Sequence, residues 1–206
     1  MIDIKKANQD LGAKTPEEII SWAVKNSSKP LVTTNFGYHE AVILHMVTQI
    51  KPDIHVIWID SGYNTRETYL VAQKIIEDLK LNIKIYTPSM STMRNDCVFG
   101  GIPELDDERH DLFTEQFKLE PFKRAMKEES PDVWFTAIRS EQTELRGKME
   151  VFSTGINGVL KVAPLLHFKE EDMNAYLKKH NLENVKNYFD PTKGLANREC
   201  GLHSKL

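Results

Sequence analysis

The strongest nucleophile in this sequence stands close to its C-terminus. Cys200 lies in the stretch RECGLH, residues 198–203. A cysteine in so polar a segment is an unusual core residue, and the positive charges of Arg198 and His203 favour the thiolate, which is the reactive form. A Cys-x-x-His pair can also bind zinc, but two ligands without a second pair nearby make a poor zinc site. The stretch therefore predicts a nucleophilic cysteine and no metal site.

A second chemical feature is the segment LVTTNFGYHEAVILHM, residues 31–46. It reads as a buried strand, a short turn over residues 35–37 and a helix with apolar residues at helical spacing. Such a turn leaves backbone N–H groups at the helix start, where the helix dipole favours an anion, most often a phosphate. The hydroxyls of Thr33 and Thr34 and the amide of Asn35 can add to this site. The alternative is that Thr34 or Asn35 simply caps the helix.

Further candidate ligand-binding residues follow two other predicted strands. Asp60 can accept hydrogen bonds from a ribose or a base, and Gly62 lets a ligand come close, although a tight turn alone would use the same residues. Arg139 and Arg146 can each bind anionic oxygens by forked donation, and Glu141 can hold one of them in place. The alternative for these charges is an exposed helix start.

The elements that position these residues follow from capping signals and hydrophobic patterns. Predicted helices cover about residues 15–25, 38–50, 64–79, 119–127 and 170–180, and predicted strands cover 30–34, 55–59, 83–86, 133–137 and 160–166. This alternation predicts an α/β fold with a doubly wound, mainly parallel sheet and helices on both faces. Ligands of such sheets bind beyond the carboxyl ends of the strands. Residues 88–117 lack a clear pattern, which is typical of a lid or a binding segment.

Composition narrows the class of protein. The length of 206 residues suits one domain, and the net charge of −3 gives no reason to expect nucleic acid or a membrane surface as a partner. No apolar run is long enough to span a bilayer, and the first residues, MIDIKKANQDLG, contain no signal-peptide core. The two cysteines, Cys97 and Cys200, build no disulfide framework. We therefore expect a soluble cytoplasmic protein with reduced thiols, in which Cys97 is a structural or incidental thiol.

Five segments of the chain resemble those of the sulfonucleotide reductases, and they occur in the same order over residues 30–203. They are Thr33-Thr34-Asn35-Phe36-Gly37, similar to the family's modified phosphate-binding loop; Asp60-Ser61-Gly62-Tyr63 with Glu67-Thr68-Tyr69; Lys118-Leu119-Glu120-Pro121; Arg139-Ser140-Glu141-Gln142 with Arg146; and the catalytic tail at residues 198–203. The resemblance implies Cys200 as the catalytic residue. It implies as substrate-binding residues Thr33, Thr34, Asn35, Phe36, Gly37, Asp60, Gly62, Lys118, Arg139, Glu141, Gln142, Arg146, Arg198 and His203.

The resemblance also implies a fold and a reaction. The fold is adenine nucleotide α-hydrolase-like, with one domain over residues 1–206: an N-terminal helix in 1–29, a nucleotide-binding core in 30–185 and a flexible catalytic tail in 186–206. Cys200 attacks the sulfo group of 3′-phosphoadenylyl sulfate (PAPS), which leaves an S-sulfocysteine and releases adenosine 3′,5′-bisphosphate. Thioredoxin or glutaredoxin then frees sulfite, a step of sulfate assimilation. Members of the family are often homodimers.

Departures from the family pattern bear on the substrate and the cofactor. Members that use adenylyl sulfate (APS) typically bind a [4Fe–4S] cluster through two cysteine pairs. The first pair would fall at Phe113 and Thr114, and no second pair stands between Asp190 and Cys200, so we expect no iron–sulfur cluster. PAPS is therefore the expected substrate, and a cluster-free APS reductase is the alternative. The link from Asp190 to Cys200 is shorter than usual in the family, and ten extended residues reach at most ~35 Å.

Two functions of other classes remain as alternatives. One is an ATP-dependent adenylyl-transferring enzyme on the same fold. Such enzymes use a Ser-Gly-Gly-x-Asp-Ser type of loop, where this chain has TNFGYH at residues 34–39, and they would leave Cys200 without a role. The other is a non-catalytic or weakly catalytic nucleotide-binding relative, against which the intact stretch at residues 198–203 argues.

Overall fold

The protein is organised around one six-stranded sheet, seen in a computed structural model that describes residues 2–193. Its strands are β1 (Pro30–Thr34), β2 (His55–Ile59), β3 (Asn82–Tyr86), β4 (Val133–Phe135), β5 (Phe152–Thr154) and β6 (Leu160–Val162). They lie in the order β3-β2-β1-β4-β6-β5. Neighbouring strands are parallel, except that β5 runs antiparallel to β6. The predicted mainly parallel, doubly wound sheet is confirmed.

Helices connect the strands along the described part of the chain. They are α1 (Ile4–Leu11), α2 (Pro16–Lys25), α3 (Glu40–Ile50), α4 (Arg66–Asp78), α5 (Thr92–Phe99), α6 (His110–Thr114), α7 (Glu120–Glu129) and α8 (Glu170–His180). A π-helical turn, Glu115–Leu119, joins α6 to α7. None of the helices within residues 2–193 has the length and apolar content needed to cross a bilayer.

Apolar clusters cover both faces of the sheet. Val32 of β1 belongs to the larger cluster, together with Val42 of α3. The neighbouring Leu31 belongs to a smaller cluster on the other face, with Phe122 of α7 and Trp134 of β4. Successive side chains of a strand point to opposite faces, so a strand covered on both sides must be apolar throughout. This is why β1 and β2 read in the sequence as continuous buried runs.

The structure contains two elements near the sheet edge and the N-terminus that the sequence patterns did not predict. Helix α1 precedes the expected helix, which begins with a capping box formed by Thr15 and Glu18. Strand β5 forms a hairpin with β6 across Asn157 and Gly158, whose φ angles are 56° and 78°. Two predicted strands end early. Strand β4 ends at Phe135, and β6 ends at Val162, two residues before Pro164, which cannot donate a ladder hydrogen bond.

The expectation that residues 88–117 are weakly structured is wrong. Helix α5 begins where the Ser91 side chain accepts a hydrogen bond from the backbone N–H of Arg94, and it ends at Gly100 with a φ of 81°. Its apolar residues Met93, Val98 and Phe99 are 70%, 63% and 50% exposed. Because these apolar side chains face solvent, α5 has no buried apolar face. The sequence of this helix therefore lacks the helical spacing of apolar residues that predicts a packed helix.

Candidate functional site

The loop after β1 is held in shape by its own side chains. Thr34 Oγ1 accepts a hydrogen bond from the backbone N–H of Phe36 at 3.0 Å. In the same way, Asn35 Oδ1 accepts from the backbone N–H of Gly37 at 2.8 Å. Two of the polar side chains predicted to bind phosphate therefore also build the loop that would bind it.

Helix α3 begins after this loop without a side-chain cap. The residue before it, His39, has a φ of 66° and makes no capping hydrogen bond with its side chain. Its ring Nε2 lies 3.0 Å from Asn174 Oδ1 on α8. The interpretation that Thr34 or Asn35 caps this helix is therefore wrong. The structure is instead compatible with the other interpretation, an anion-binding loop before a helix N-terminus.

Glu40, in the first turn of α3, carries an unusual carboxyl group. Burial raises its pKa, whereas the hydrogen bond with Thr34 and the positive charge of Arg146 lower it, and the pKa settles at about 7. The Thr34 hydroxyl thus joins the backbone of the loop to this carboxyl group. Sequence reasoning missed Glu40, although an acid two or three residues after a phosphate-loop glycine is a signal that could have identified it.

Two buried arginines lie in the turn after β4. Arg139 and Arg146 are each only 7% exposed. Glu141 pairs with Arg139 as expected. The Gln142 side-chain oxygen accepts both from Arg146 Nη1 and, at 2.9 Å, from the backbone N–H of Arg139. The alternative of an exposed helix start is therefore wrong, because a buried guanidinium group is stable only with partners of this kind.

Asp60, at the end of β2, is engaged inside its own turn. Its Oδ1 accepts from the Gly62 backbone N–H at 2.9 Å, from Asn64 Nδ2 at 2.8 Å and from the Tyr69 hydroxyl at 2.9 Å. Gly62 has a φ of 78°, and a Cβ there would lie 2.7 Å from Thr92 Cγ2 of α5. Both residues are therefore explained by the turn and by close packing, and their contact with a ligand stays a prediction.

Thr33 does not join Thr34 in the loop. Its hydroxyl accepts a hydrogen bond from Trp134 Nε1 at 2.8 Å, which ties β1 to β4. The two threonines are neighbours in a strand, so their side chains point to opposite faces of the sheet. The strand geometry therefore directs the Thr33 side chain away from Thr34 and the loop, although both threonines were predicted to bind the substrate.

Lys118 lies on the π-helical turn and forms a buried ion pair with Asp190. Its ammonium group is also 3.4 Å from Thr192 Oγ1. Burial alone would raise the pKa of Asp190, but the Lys118 charge and the hydrogen bonds from Thr192 outweigh burial and lower this pKa. Turns of π-helix are common at functional sites. Here the turn brings Lys118 to a segment 72 positions further along the chain.

Residues 184–192, which we name the strap, lie across the loop after β1. The backbone N–H of Tyr188 donates to the Tyr38 hydroxyl at 3.3 Å, and the two rings are 6.0 Å apart. A Cβ on Gly37 would lie 3.2 Å from the Tyr188 ring. Three further hydrogen bonds attach the strap, from the His39 backbone N–H to Asn184, from the Lys186 backbone N–H to Glu67, and from Thr65 Oγ1 to the Asn187 carbonyl. Most of the strap was predicted as tail, yet it packs on the core.

A small cleft opens between the loop, the π-helical turn and the strap. It is lined by Asn35, Ile59, Ser61, Asn64, Phe117, Lys118 and residues 188–192. The cleft lies beyond the carboxyl ends of β1 and β2, where parallel sheets bind their ligands. It brings together Asn35 and Lys118 of the predicted site.

Of the tail predicted over residues 186–206, the structure describes residues 186–193, and the catalytic stretch at residues 198–203 lies outside the described residues. Cys200, Arg198 and His203 all belong to that part, so their roles stay predictions. Within residues 2–193, no three His, Cys, Asp or Glu side chains are grouped as metal ligands. Cys97 is exposed, and its Sγ lies 3.8 Å from Met93 Sδ.

Comparison with known proteins agrees with this geometry. Residues 29–191 match the model of the phosphoadenosine phosphosulfate reductase domain. A phosphoadenosine 5′-phosphosulfate reductase of Synechococcus sp. is 35% identical over 181 residues, which are 87% of this chain and 78% of the relative. The crystal structure of phosphoadenylyl-sulfate (PAPS) reductase from Candida auris, in complex with phosphate, superimposes with a TM-score of 0.79 at 25% identity, covering 91% of this chain and 93% of that one. An NH3-dependent NAD synthetase from Campylobacter jejuni shares the fold, with a TM-score of 0.56 at 13% identity over 89% of this chain and 76% of its own.

Proposed function

Because the chain belongs to the phosphoadenosine phosphosulfate reductase family, we propose that it reduces PAPS to sulfite and adenosine 3′,5′-bisphosphate in sulfate assimilation. The observation that carries the proposal is the strap. It attaches the C-terminal part of the chain to the loop after β1 and ends in the cleft, through the pair of Asp190 with Lys118. Cys200 follows Asp190 by only ten positions.

In the first proposed step, the Cys200 thiolate attacks the sulfur atom of the sulfo group. A bond forms between Cys200 Sγ and this sulfur, and the bond from the sulfur to the phosphate oxygen breaks. Adenosine 3′,5′-bisphosphate leaves with the electron pair, and the enzyme carries an S-sulfocysteine. The buried charges of Arg139 and Arg146 and the N-terminus of α3 favour the negative charge that develops on the leaving group.

In the second proposed step, a dithiol protein returns the enzyme to its starting state. A thiolate of thioredoxin or glutaredoxin attacks Cys200 Sγ, and sulfite leaves with the electron pair of the broken sulfur–sulfur bond. The second thiol of the donor then resolves the mixed disulfide. The donor is oxidised to a disulfide, two electrons are transferred, and Cys200 is a thiol again.

The short link before Cys200 is compatible with this reaction. Ten extended residues reach at most ~35 Å, and Asp190, from which the link is counted, already lines the cleft. The tail therefore starts at the site and needs only to fold back over the cleft.

We further propose that the enzyme works in the cytoplasm without an iron–sulfur cluster. The chain has two cysteines, fewer than a cluster needs. The resemblance implies that the first cysteine pair of cluster-binding relatives would fall at Phe113 and Thr114, which are 4% and 6% exposed. The Phe113 ring stacks on Phe117 with centroids 4.6 Å apart, so this place in the fold is used for packing.

The proposal is tested by the intact mass of the reduced protein after mixing with PAPS or with APS, without a donor. We expect a gain of one sulfo group with PAPS, its loss in Cys200→Ser, and its removal by thioredoxin. Cys97→Ser is the matched control and should still gain the group. A gain with APS alone would make the protein a cluster-free APS reductase. Absence of any adduct, with nucleotide binding retained, would contradict the proposal and favour a non-catalytic relative.

A further inference from the structure

Four backbone N–H groups around the start of α3 donate to acceptors of the protein itself. They are the N–H groups of Phe36 (to Thr34 Oγ1), Gly37 (to Asn35 Oδ1), His39 (to Asn184 Oδ1) and Glu40 (to the Gly37 carbonyl), over 2.8–3.3 Å. A phosphate at a helix start usually takes its hydrogen bonds from such groups. At this helix start a phosphate therefore needs donors from side chains as well.

The Thr34 hydroxyl is also engaged inside the protein. A hydroxyl group has one hydrogen to donate and can accept two hydrogen bonds. The Thr34 oxygen accepts from the Phe36 backbone N–H. Against burial, which raises the pKa of Glu40, a hydrogen bond from this hydroxyl lowers that pKa, because it is donated to the charged carboxylate. The single hydrogen of Thr34 is thus directed at Glu40 and is not available to a phosphate.

The Glu40 side chain belongs to the first turn of α3, next to a positive charge from another element. That charge is Arg146, in the turn after β4. The neighbouring ion pair of Arg139 with Glu141 contributes one charge of each sign, and on the α3 side His39 directs its ring to α8. A carboxylate beside a phosphate repels it, whereas a protonated carboxyl group donates one hydrogen bond and still accepts another.

We propose that Glu40 is a further substrate-binding residue, which holds a phosphate group of the nucleotide through its protonated carboxyl group. One carboxyl oxygen accepts from Thr34, and the other carries the proton and donates to a phosphate oxygen. This inference rests on the proposed function, because it takes the nucleotide as the ligand of the loop after β1. Since the bound phosphate disfavours the ionised carboxyl group, nucleotide binding takes up a proton from solvent.

The acid–base behaviour of Glu40 suits this role. Burial raises its pKa to about 7, while the Thr34 hydrogen bond and the Arg146 charge act in the opposite direction. About half of the free protein therefore carries the proton at pH 7. The protonated fraction falls about tenfold from pH 6 to pH 8. If only this form binds the nucleotide, the affinity should weaken by the same factor over this range.

The test is isothermal titration calorimetry with adenosine 3′,5′-bisphosphate between about pH 6 and pH 8, in pairs of buffers that differ in their enthalpy of ionisation. The variants are Glu40→Gln, whose amide donates but does not titrate, and Glu144→Gln, the matched control at an exposed side chain. We expect the ratio of the wild-type Kd to the Glu40→Gln Kd to rise about tenfold from pH 6 to pH 8. The wild type and the control should take up about half a proton more than Glu40→Gln at pH 7. The comparison removes the titration of the ligand phosphates, which all three proteins share.

A second measurement observes the carboxyl group directly. In ¹³C NMR spectra of protein labelled at the glutamate Cδ, Glu40 is assigned as the signal that Glu40→Gln lacks. At about pH 8 we expect Glu40 to be mainly ionised in the free protein and protonated with saturating adenosine 3′,5′-bisphosphate. An ionised Glu40 in the complex, or equal proton uptake by the wild type and Glu40→Gln, would overturn the proposal. Binding with a protonated Glu40 but without S-sulfocysteine formation from PAPS would contradict the proposed function and support this inference, whereas a protein that does not bind the nucleotide would contradict both.

Discussion

Replacing Glu40 by glutamine should make the free energy of unfolding less dependent on pH. The Glu40 pKa is raised from 4.5 to about 7 in the folded protein, because burial outweighs the Thr34 hydrogen bond and the Arg146 charge. The folded state therefore binds this proton more tightly than the unfolded state. As the pH rises from about 4.5 to 7, the wild type gives up the proton at a cost, and its stability falls.

The size of the effect follows from the shift in pKa. One pKa unit corresponds to about 1.4 kcal/mol, so the rise from 4.5 to about 7 amounts to about 3 kcal/mol. This figure is an upper limit, since Glu40 keeps partial contact with solvent. Below about pH 4.5 both proteins carry a neutral side chain at this position, and their stabilities should nearly coincide. At pH 8 the variant should be the more stable protein by up to about 3 kcal/mol.

Urea denaturation followed by circular dichroism at several pH values between 4.5 and 8.5 measures this difference. Glu144→Gln is the matched control, because the Glu144 side chain is 89% exposed and forms an exposed ion pair with Lys148. Its difference from the wild type should stay within about 0.5 kcal/mol at every pH. A Glu40→Gln curve that runs parallel to the wild-type curve would refute the reasoning. So would a variant that is less stable than the wild type at pH 8.

Three further predictions concern the cleft. Lys118→Ala should lose about 3–5 kcal/mol of stability at pH 7, because it leaves Asp190 charged and buried. The double variant Lys118→Ala with Asp190→Asn should recover part of this loss. Urea denaturation of both variants measures the recovery, and equal stabilities of the two would contradict the prediction. Gly37→Ala should weaken binding of adenosine 3′,5′-bisphosphate by about tenfold, as measured by calorimetry. The new methyl group would lie 2.9 Å from Asn35 Oδ1 and 3.2 Å from the Tyr188 ring. The control Gly158→Ala, which has open space around it, should leave this affinity unchanged. Truncation before Arg198 should abolish sulfite formation and leave nucleotide binding within about twofold; sulfite production by the truncated chain would disprove the role of the tail.

The sheet was predictable because its strands carry a local signal. The bounds of β1 and β2 agree with prediction to the residue, since strands buried on both faces must be continuously apolar. Helix α8 agrees equally well. The hairpin of β5 was missed although Asn157-Gly158 is a strong turn signal, because two three-residue strands are too short to show alternation. Helix α5 was missed because its apolar side chains face outward.

The site was less predictable, since it depends on contacts between distant segments. Motifs identified Lys118 and Arg146 as candidates, but Asp190 as the Lys118 partner and Gln142 as the bridge between the arginines become visible only in three dimensions. Glu40 was missed because its behaviour comes from burial and not from its position in a motif. The role of Thr33 in tying β1 to β4 could have been inferred from the alternation of side chains along a strand.

The attachment of the strap also has a consequence for biosynthesis. The hydrogen bond between Tyr188 and Tyr38 joins residues 150 positions apart. At roughly 5–20 residues per second, a ribosome needs about 8–30 s to make the chain between them. All six strands are synthesised before residue 163, so the sheet has its full set of strands while the cleft still lacks one wall. A nascent chain can therefore acquire its core before the strap exists to close the cleft, and the cleft is completed only by a segment that is synthesised after every strand of the sheet.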